Sequence, residues 1–180
     1  MRTIKIAVIG NKLVGKSSLV YRFLNYNSLP GHNEYEERYK TKINYKKHKY
    51  ELEILDTTGG EDFENLMDMW FGFGEGFLLV FAIDDEESFE ILKKKRDRIL
   101  KVKHGGFAPM ILVGNKSDLK NGRKVSFDVA KKLAESWGIE YIETSAITIF
   151  NCREPFDRLT KIIHEKKYKR DYHAAACNVM

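Results

Sequence analysis

A β-rich stretch, Thr3 to Ile9, runs directly into Gly10-Asn11-Lys12-Leu13-Val14-Gly15-Lys16-Ser17, and a helix is predicted to follow from about Lys16 to Asn25. This pattern, G-x-x-x-x-G-K-[ST] between a strand and a helix, constrains the chain more than any other. Its glycines let the backbone wrap around phosphate oxygens, and successive N–H groups converge on them at the positive end of the helix. Lys16 can reach the β- and γ-phosphates of a nucleoside triphosphate, and the Ser17 hydroxyl can ligate Mg²⁺. An ordinary glycine turn is the competing reading, and the flanking strand and helix argue against it. The pattern specifies a nucleoside triphosphate, not which base.

Beyond this cradle, short apolar strands alternate with helices, which argues a mainly parallel sheet with helices on both faces, an α/β fold. Residues 26 to 37 read as a long surface loop, a length more often functional than idle. Arg38 to Lys46 sets Tyr39, Thr41, Ile43 and Tyr45 against Lys40, Lys42 and Asn44, a half-buried strand. Tyr50 to Leu55 alternates in the same way across a turn at Lys47-His48, so the pair reads as an antiparallel hairpin. A glycine-bearing loop (Asp56 to Gly60), a short helix to about Phe71 and the buried strand Phe77 to Ile83 come next. A helix over Glu86 to Lys103, a strand over Met110 to Val113, a helix over Phe127 to Trp137 and a strand over Tyr141 to Glu143 complete the alternation. A last helix starts near Pro155, whose missing N–H costs nothing in a first turn, and Phe156, Leu159 and Ile163 mark its core face. With 180 residues, 43% of them hydrophobic, one compact domain is expected.

The longest unbroken apolar run, Phe77 to Ile83, is seven residues, far short of the ~20 that span a bilayer. Met1-Arg2-Thr3-Ile4-Lys5 lacks the apolar core of a secretory signal. Spanning and secreted roles are not expected. The net charge is +5, and residues 161–170 hold five bases against one acid. A nucleic-acid binder carries its basic groove on the folded body. A surplus near the C-terminus points instead to an acidic membrane face and to no nucleic-acid partner; a solvated helix face is the alternative. Cys152 and Cys177 make no disulfide framework and fit a reducing cytosol.

Asn115-Lys116-Ser117-Asp118 follows a strand at its C-terminal end, where open α/β sheets place ligands. An ionised Asp118 can accept two hydrogen bonds from the N1–H and exocyclic amino group of guanine. Adenine offers no such pair and would leave the carboxylate unpaired and desolvated. Alone this pattern is weak, and a solvated Asx turn competes with it. It gains weight from its order, after Gly10 to Ser17 and Asp56-Thr57-Thr58-Gly59, and before Glu143-Thr144-Ser145-Ala146.

With these residues in this order the chain resembles the small GTPases, specifically the Ras subfamily, over residues 3–180. The likeness extends to Gly74-Glu75-Gly76-Phe77 through Val80-Phe81-Ala82-Ile83 and to Tyr141-Ile142-Glu143. The resemblance implies a G domain of the P-loop NTPase class: a six-stranded, mainly parallel sheet with one antiparallel hairpin strand and five helices on both faces. It implies GTP/GDP binding with Mg²⁺, two switch loops that rearrange when the γ-phosphate leaves, exchange-factor and effector proteins on those loops, and a monomer. By motif, Gly10, Asn11, Lys12, Leu13, Val14, Gly15, Lys16 and Ser17 hold the phosphates, and Gly59 offers its N–H to the γ-phosphate. Asp56 binds Mg²⁺ through water beside Ser17. Asn115, Lys116 and Asp118 hold the base, supported by Ser145 and Ala146.

The chain departs from the family where hydrolysis is organised. Gly60 stands where the family carries the Gln that orients the attacking water, and Lys12 replaces the third glycine of the phosphate loop. A solvent-facing Lys12 and water positioned by Glu61 form the alternative. Between Ser28 and Thr41 the chain has neither Ser nor Thr, and alignment through Tyr39 puts Glu34 where the family's Mg²⁺-ligating Thr belongs. Leu29 is the nearest candidate for the family's base-stacking aromatic. Glu36, Glu37 and Tyr39 match the family's effector edge, with Arg38 in place of a small polar residue.

Cys177-Asn178-Val179-Met180 fits a prenylation signal, with terminal Met favouring farnesyl. One lipid holds only reversibly, and Lys166, Lys167, Lys169 and Arg170 supply a second, electrostatic signal. The expected organisation is a G domain over 1–168 and a basic tail over 169–180. The leading expectation is a GTP-binding switch on the cytoplasmic face of the plasma membrane, slow in hydrolysis and biased to GTP. A non-switching scaffold acting by protein contacts is the alternative; a P-loop nucleoside kinase lacks the arginine-rich lid it would need.

Overall fold

Strand β1 (Arg2–Gly10) sits in the middle of the sheet and is buried on both sides. Ile4, Ile6 and Val8 point into one core and Ala7 and Ile9 into the other. The structure, a computed structural model, describes residues 2–29, 36–59 and 64–177, the side chains of residues 64, 65 and 167–177 excepted. The strands are β1, β2 (Glu37–Tyr45), β3 (His48–Asp56), β4 (Gly76–Ala82), β5 (Met110–Asn115) and β6 (Glu140–Glu143), in the order β2-β3-β1-β4-β5-β6. Among these described strands β2 and β3 alone pair antiparallel, and the other pairs are parallel. The fold is the expected α/β sheet.

Burial explains the composition of each strand. β4 and β5 are buried at every position, as parallel strands covered on both faces must be, and read as apolar runs up to Asn115, which closes β5. Edge strand β2 alternates, with Tyr39, Thr41, Ile43 and Tyr45 turned inward and Arg38, Lys40, Lys42 and Asn44 exposed.

Five α-helices occur among the described residues: α1 (Lys16–Phe23), α2 (Glu64–Phe73), α3 (Glu86–Val102), α4 (Phe127–Trp137) and α5 (Glu154–Cys177). α1 and α5 pack Leu19, Val20, Phe23, Phe156, Leu159 and Ile163 into one core. α2, α3 and α4 pack Met67, Trp70, Phe71, Leu92, Ile99 and Ala130 into the other. Ser126 caps α4 by accepting from Val129 N, and Gly138 ends it at φ 66°. α1 ends at Phe23, two residues before the expected limit, because Asn25 turns left-handed at φ 62°. α5 carries its helical backbone across residues 168 and 169, where the expected tail begins.

Candidate nucleotide site

The C-terminal ends of β1, β3, β4 and β5 meet at one edge of the sheet, and every described residue of the expected site lies there. The loop after β1 is held by close approaches only glycine permits. A Cβ on Gly10 would lie 2.3 Å from the Val80 carbonyl oxygen. One on Gly15, at φ +89°, would lie 2.3 Å from Asn115 Nδ2. Gly15 opens α1 with no side-chain cap, so the helix's first N–H groups have no side chain competing for them. Lys16 Nζ donates to the Asn11 carbonyl at 2.8 Å, bridging the loop from within. Its pKa is pushed down to about 8, first by burial and then by the like charge of Lys95, against the pull of Asp56.

Asp56 ends β3 beside this lysine. Burial pushes its carboxyl up to about 6, while a hydrogen bond with Ser17 and the charge of Lys16 hold it down. Asp56 Oδ1 is buried with no hydrogen-bond partner, as is Thr58 Oγ1. A buried carboxylate oxygen left unpaired, with a serine hydroxyl at its side, fits a hydrated Mg²⁺ in chemistry and position. Thr57 Oγ1 instead donates to the Val8 carbonyl at 2.7 Å and pins the chain to β1. Gly59 abuts the phosphate loop so closely that a Cβ would lie 2.2 Å from Asn11 C and 2.3 Å from Lys12 N. The Lys12 side chain is exposed. Gly60, Glu61 and Glu34 lie outside the described residues.

On the base side, β5 runs two residues beyond the expected Val113 and delivers Asn115, only 2% exposed, into the centre of the site. Asn115 Nδ2 donates to the Val14 carbonyl at 2.9 Å, and its Oδ1 accepts from Thr144 Oγ1 at 3.0 Å. Asn115 therefore joins the phosphate loop, β5 and the 144–146 loop. Lys116 adopts φ 63° and leans on Asp84 at 3.5 Å. Asp118 is half-buried, and its Oδ1 accepts from Ser145 Oγ at 2.5 Å, which fixes the carboxylate expected to read guanine. Ala146 is buried beside it.

Several supporting residues carry no local signal in the sequence. Arg22 Nε donates to the Ala146 carbonyl at 2.8 Å and its Nη1 to the Asn27 carbonyl at 3.1 Å, tying α1 to both loops. Arg123 makes a two-pronged pair with Glu143 at 2.7 and 3.0 Å, and Tyr141 OH donates to the same carboxylate at 2.8 Å. On the effector edge, Glu36 accepts from Trp70 Nε1 and Glu37 from Tyr39 OH, so both acids are engaged within the chain. Arg38 lies over the Phe73 ring at 5.0 Å, and the exposed cations of β2 are Arg38, Lys40 and Lys42.

A glycine loop bridged by Lys16, a buried aspartate beside Lys16 and Ser17, and a fixed Asp118 carboxylate at one edge of the sheet are the arrangement expected of a guanine-nucleotide-binding domain. The Ras family profile matches residues 5–165. Ras-related protein ralB-A of Xenopus laevis and Ras-related protein Ral-B of Mus musculus are each 40% identical to the chain over 168 residues, covering 91% of it and 80% of their own length. Ras-related protein O-RAL of Diplobatis ommata is 39% identical over the same extent. The chain belongs to the Ras family of small GTPases, whose members are signalling switches that bind guanine nucleotide and hydrolyse GTP.

Proposed function

We propose that this chain is a membrane-anchored GTP-binding switch that hydrolyses GTP slowly and rests in its triphosphate state. The observation that supports it is the contact between Gly59 and Lys12: the segment leading into Gly60 leaves the phosphate loop where a lysine replaces the family's glycine. Gly60 has no side chain to orient water, and the exposed Lys12 side chain stands on the γ-phosphate side from which an activating protein's arginine would reach in. Losing both contributions costs on the order of 10³–10⁵ in rate.

The first switch loop lacks the family's Mg²⁺-ligating Thr, with Glu34 in its place, so binding rests on the remaining motifs. The backbone from Gly10 to Ser17 and the Lys16 ammonium hold the phosphates, with Gly59 offering an N–H at the γ-position. Asn115, Lys116 and Asp118, backed by Ser145 and Ala146, hold guanine. Ser17 and, through water, Asp56 hold Mg²⁺, which neutralises the β- and γ-oxygens when bound. Exchange factors and effectors meet the switch loops, with Glu36, Glu37, Arg38 and Tyr39 on the effector edge and the exposed Arg38 biasing partner choice.

Cys177 takes a farnesyl group, and Lys166, Lys167, Lys169 and Arg170 add attraction to the inner leaflet of the plasma membrane. The side chains of Cys177, Lys167, Lys169 and Arg170 lie outside those described. No helix among the described residues is long and apolar enough to cross a membrane.

Single-turnover hydrolysis, run beside mouse Ral-B, tests the reading. The wild-type chain is expected to be at least tenfold slower, and the double variant Lys12→Gly/Gly60→Gln to recover rate. Equal rates overturn slow hydrolysis. One observation favours the scaffold reading: Glu37 stands opposite Asp56 in the β2–β3 register, and its charge helps to raise the Asp56 pKa. A second anion beside the phosphates weakens retention. One guanine nucleotide per purified chain excludes that reading.

A further inference from the structure

The sheet has two ends, and the nucleotide takes only one. At the other end, Arg2 begins β1 in register with Tyr50 of β3, and the β2–β3 hairpin turns through Lys46-Lys47-His48-Lys49. The α3–β5 loop brings His104 and Phe107 to the same end. α5 then crosses it: His164 Nδ1 lies 2.5 Å from Tyr50 OH, and its ring lies 5.1 Å from that of His48. Tyr45 OH donates to Glu165 at 3.4 Å, and Lys166 Nζ sits 3.9 Å over the Phe107 ring. Segments far apart in sequence thus form one basic face, which a count along the chain does not reveal.

Two acids of this end are engaged. Glu165 accepts from Tyr45, and Glu75 accepts from the Lys5 N–H. Lys46, Lys47 and Lys49 are exposed and form no ion pair among the described residues. Lys46 also holds φ 53°, a turn conformation that Gly or Asn fills at lower cost. Packing does not require three lysines there. Phe107 is 42% exposed beneath the Lys166 ammonium, and an exposed aromatic beside a cation suits a bilayer interface.

We infer that this end of the domain is an anionic-lipid contact of its own, seated by Lys46, Lys47, Lys49, Arg2 and Phe107. It adjoins Lys166 of α5 and turns the nucleotide site toward the opposite side. The setting rests on the lipid-anchor reading, but the face is present in the unlipidated chain. An acidic bilayer is favoured over a protein or RNA because the same α5 whose residues 164–166 seat the face leads on to the lipidation signal.

The test uses the full chain, farnesylated and unfarnesylated, on vesicles of phosphatidylcholine with and without phosphatidylserine. Each basic residue near such a surface is worth roughly fivefold in affinity. Lys46→Glu/Lys47→Glu/Lys49→Glu is expected to weaken binding of the unfarnesylated chain to serine-containing vesicles at least tenfold. The α4 control Lys131→Glu/Lys132→Glu is expected to have a much smaller effect, with nucleotide retention unchanged in both. Phe107→Ser is expected to weaken it further. Unchanged vesicle binding in the hairpin variant overturns the inference while leaving the anchor intact. Failure of farnesylation to strengthen partitioning of the wild type onto serine-containing vesicles overturns the anchor separately. Tighter binding to RNA than to the vesicles, lost in the hairpin variant, reassigns the face and overturns the lipid contact.

Discussion

Asn115 Nδ2 donates to the Val14 carbonyl, 101 residues earlier in the chain, and so locks the end of β5 to the phosphate loop. The same side chain accepts from Thr144, so three loops converge on one buried amide. Replacing it by Ala leaves the Val14 carbonyl and the Thr144 hydroxyl unpaired. Asn115→Ala is expected to cost about 2–4 kcal/mol in denaturant unfolding. Guanine-nucleotide dissociation should accelerate by at least a hundredfold, measured with a fluorescent analogue.

Asp118 owes its orientation to Ser145, at 2.5 Å. Ser145→Ala frees the carboxylate to rotate, so the preference for GTP over ATP should fall by about tenfold, a loss of roughly 1.4 kcal/mol. Asp118→Ala should remove that preference altogether, with phosphate binding retained. Competition of each nucleotide against a labelled GDP reads both outcomes.

Gly59 has no room for a side chain, since a Cβ would meet Asn11 and Lys12 backbone atoms within 2.4 Å. Gly59→Ala is expected to force the second switch away from the phosphate loop. GTP affinity should drop at least tenfold while GDP affinity holds. Equal losses for both nucleotides would show that the contact serves the loop rather than the γ-phosphate.

Glu143 couples pH to the base-side loop. Burial favours its neutral form, but the hydrogen bonds from Arg123 and Tyr141 more than offset this and hold its pKa below 4.5. A carboxyl depressed in the fold binds fewer protons there than in the unfolded chain, so it stabilises above the unfolded pKa and loses that contribution as pH falls through the folded one. Glu143→Gln should therefore destabilise by about 1–3 kcal/mol at pH 7, with the gap to wild type closing on acidification below about pH 4.5. Urea midpoints across that range give the answer.

Ile149 sits at φ 59° and is 60% exposed. A β-branched side chain is strained in the left-handed region, whereas Asn tolerates it. Ile149→Asn is expected to stabilise by about 0.5–1 kcal/mol, visible as a raised thermal midpoint with nucleotide affinity unchanged.

The sequence by itself determined the strand that opens the fold, the glycine loop after it and the position of the Asp118 carboxylate after β5. Each of these is local: a few adjacent residues set the backbone path or the chemistry, so the pattern is readable without a partner. It also located Lys12 and Gly60, because an altered residue type at a fixed motif position needs no coordinates. Only the tertiary structure decided that Asn115 spends its amide on Val14 and Thr144 and that Arg22 ties α1 to the Ala146 loop. The same holds for Glu36 and Glu37, which are engaged within the chain and leave cations exposed on β2. Those relations join residues separated by tens to a hundred positions, brought together by the packing of two cores against one sheet. The basic end of the domain follows the same rule, since charges scattered along the chain become a surface only when folding sets them side by side.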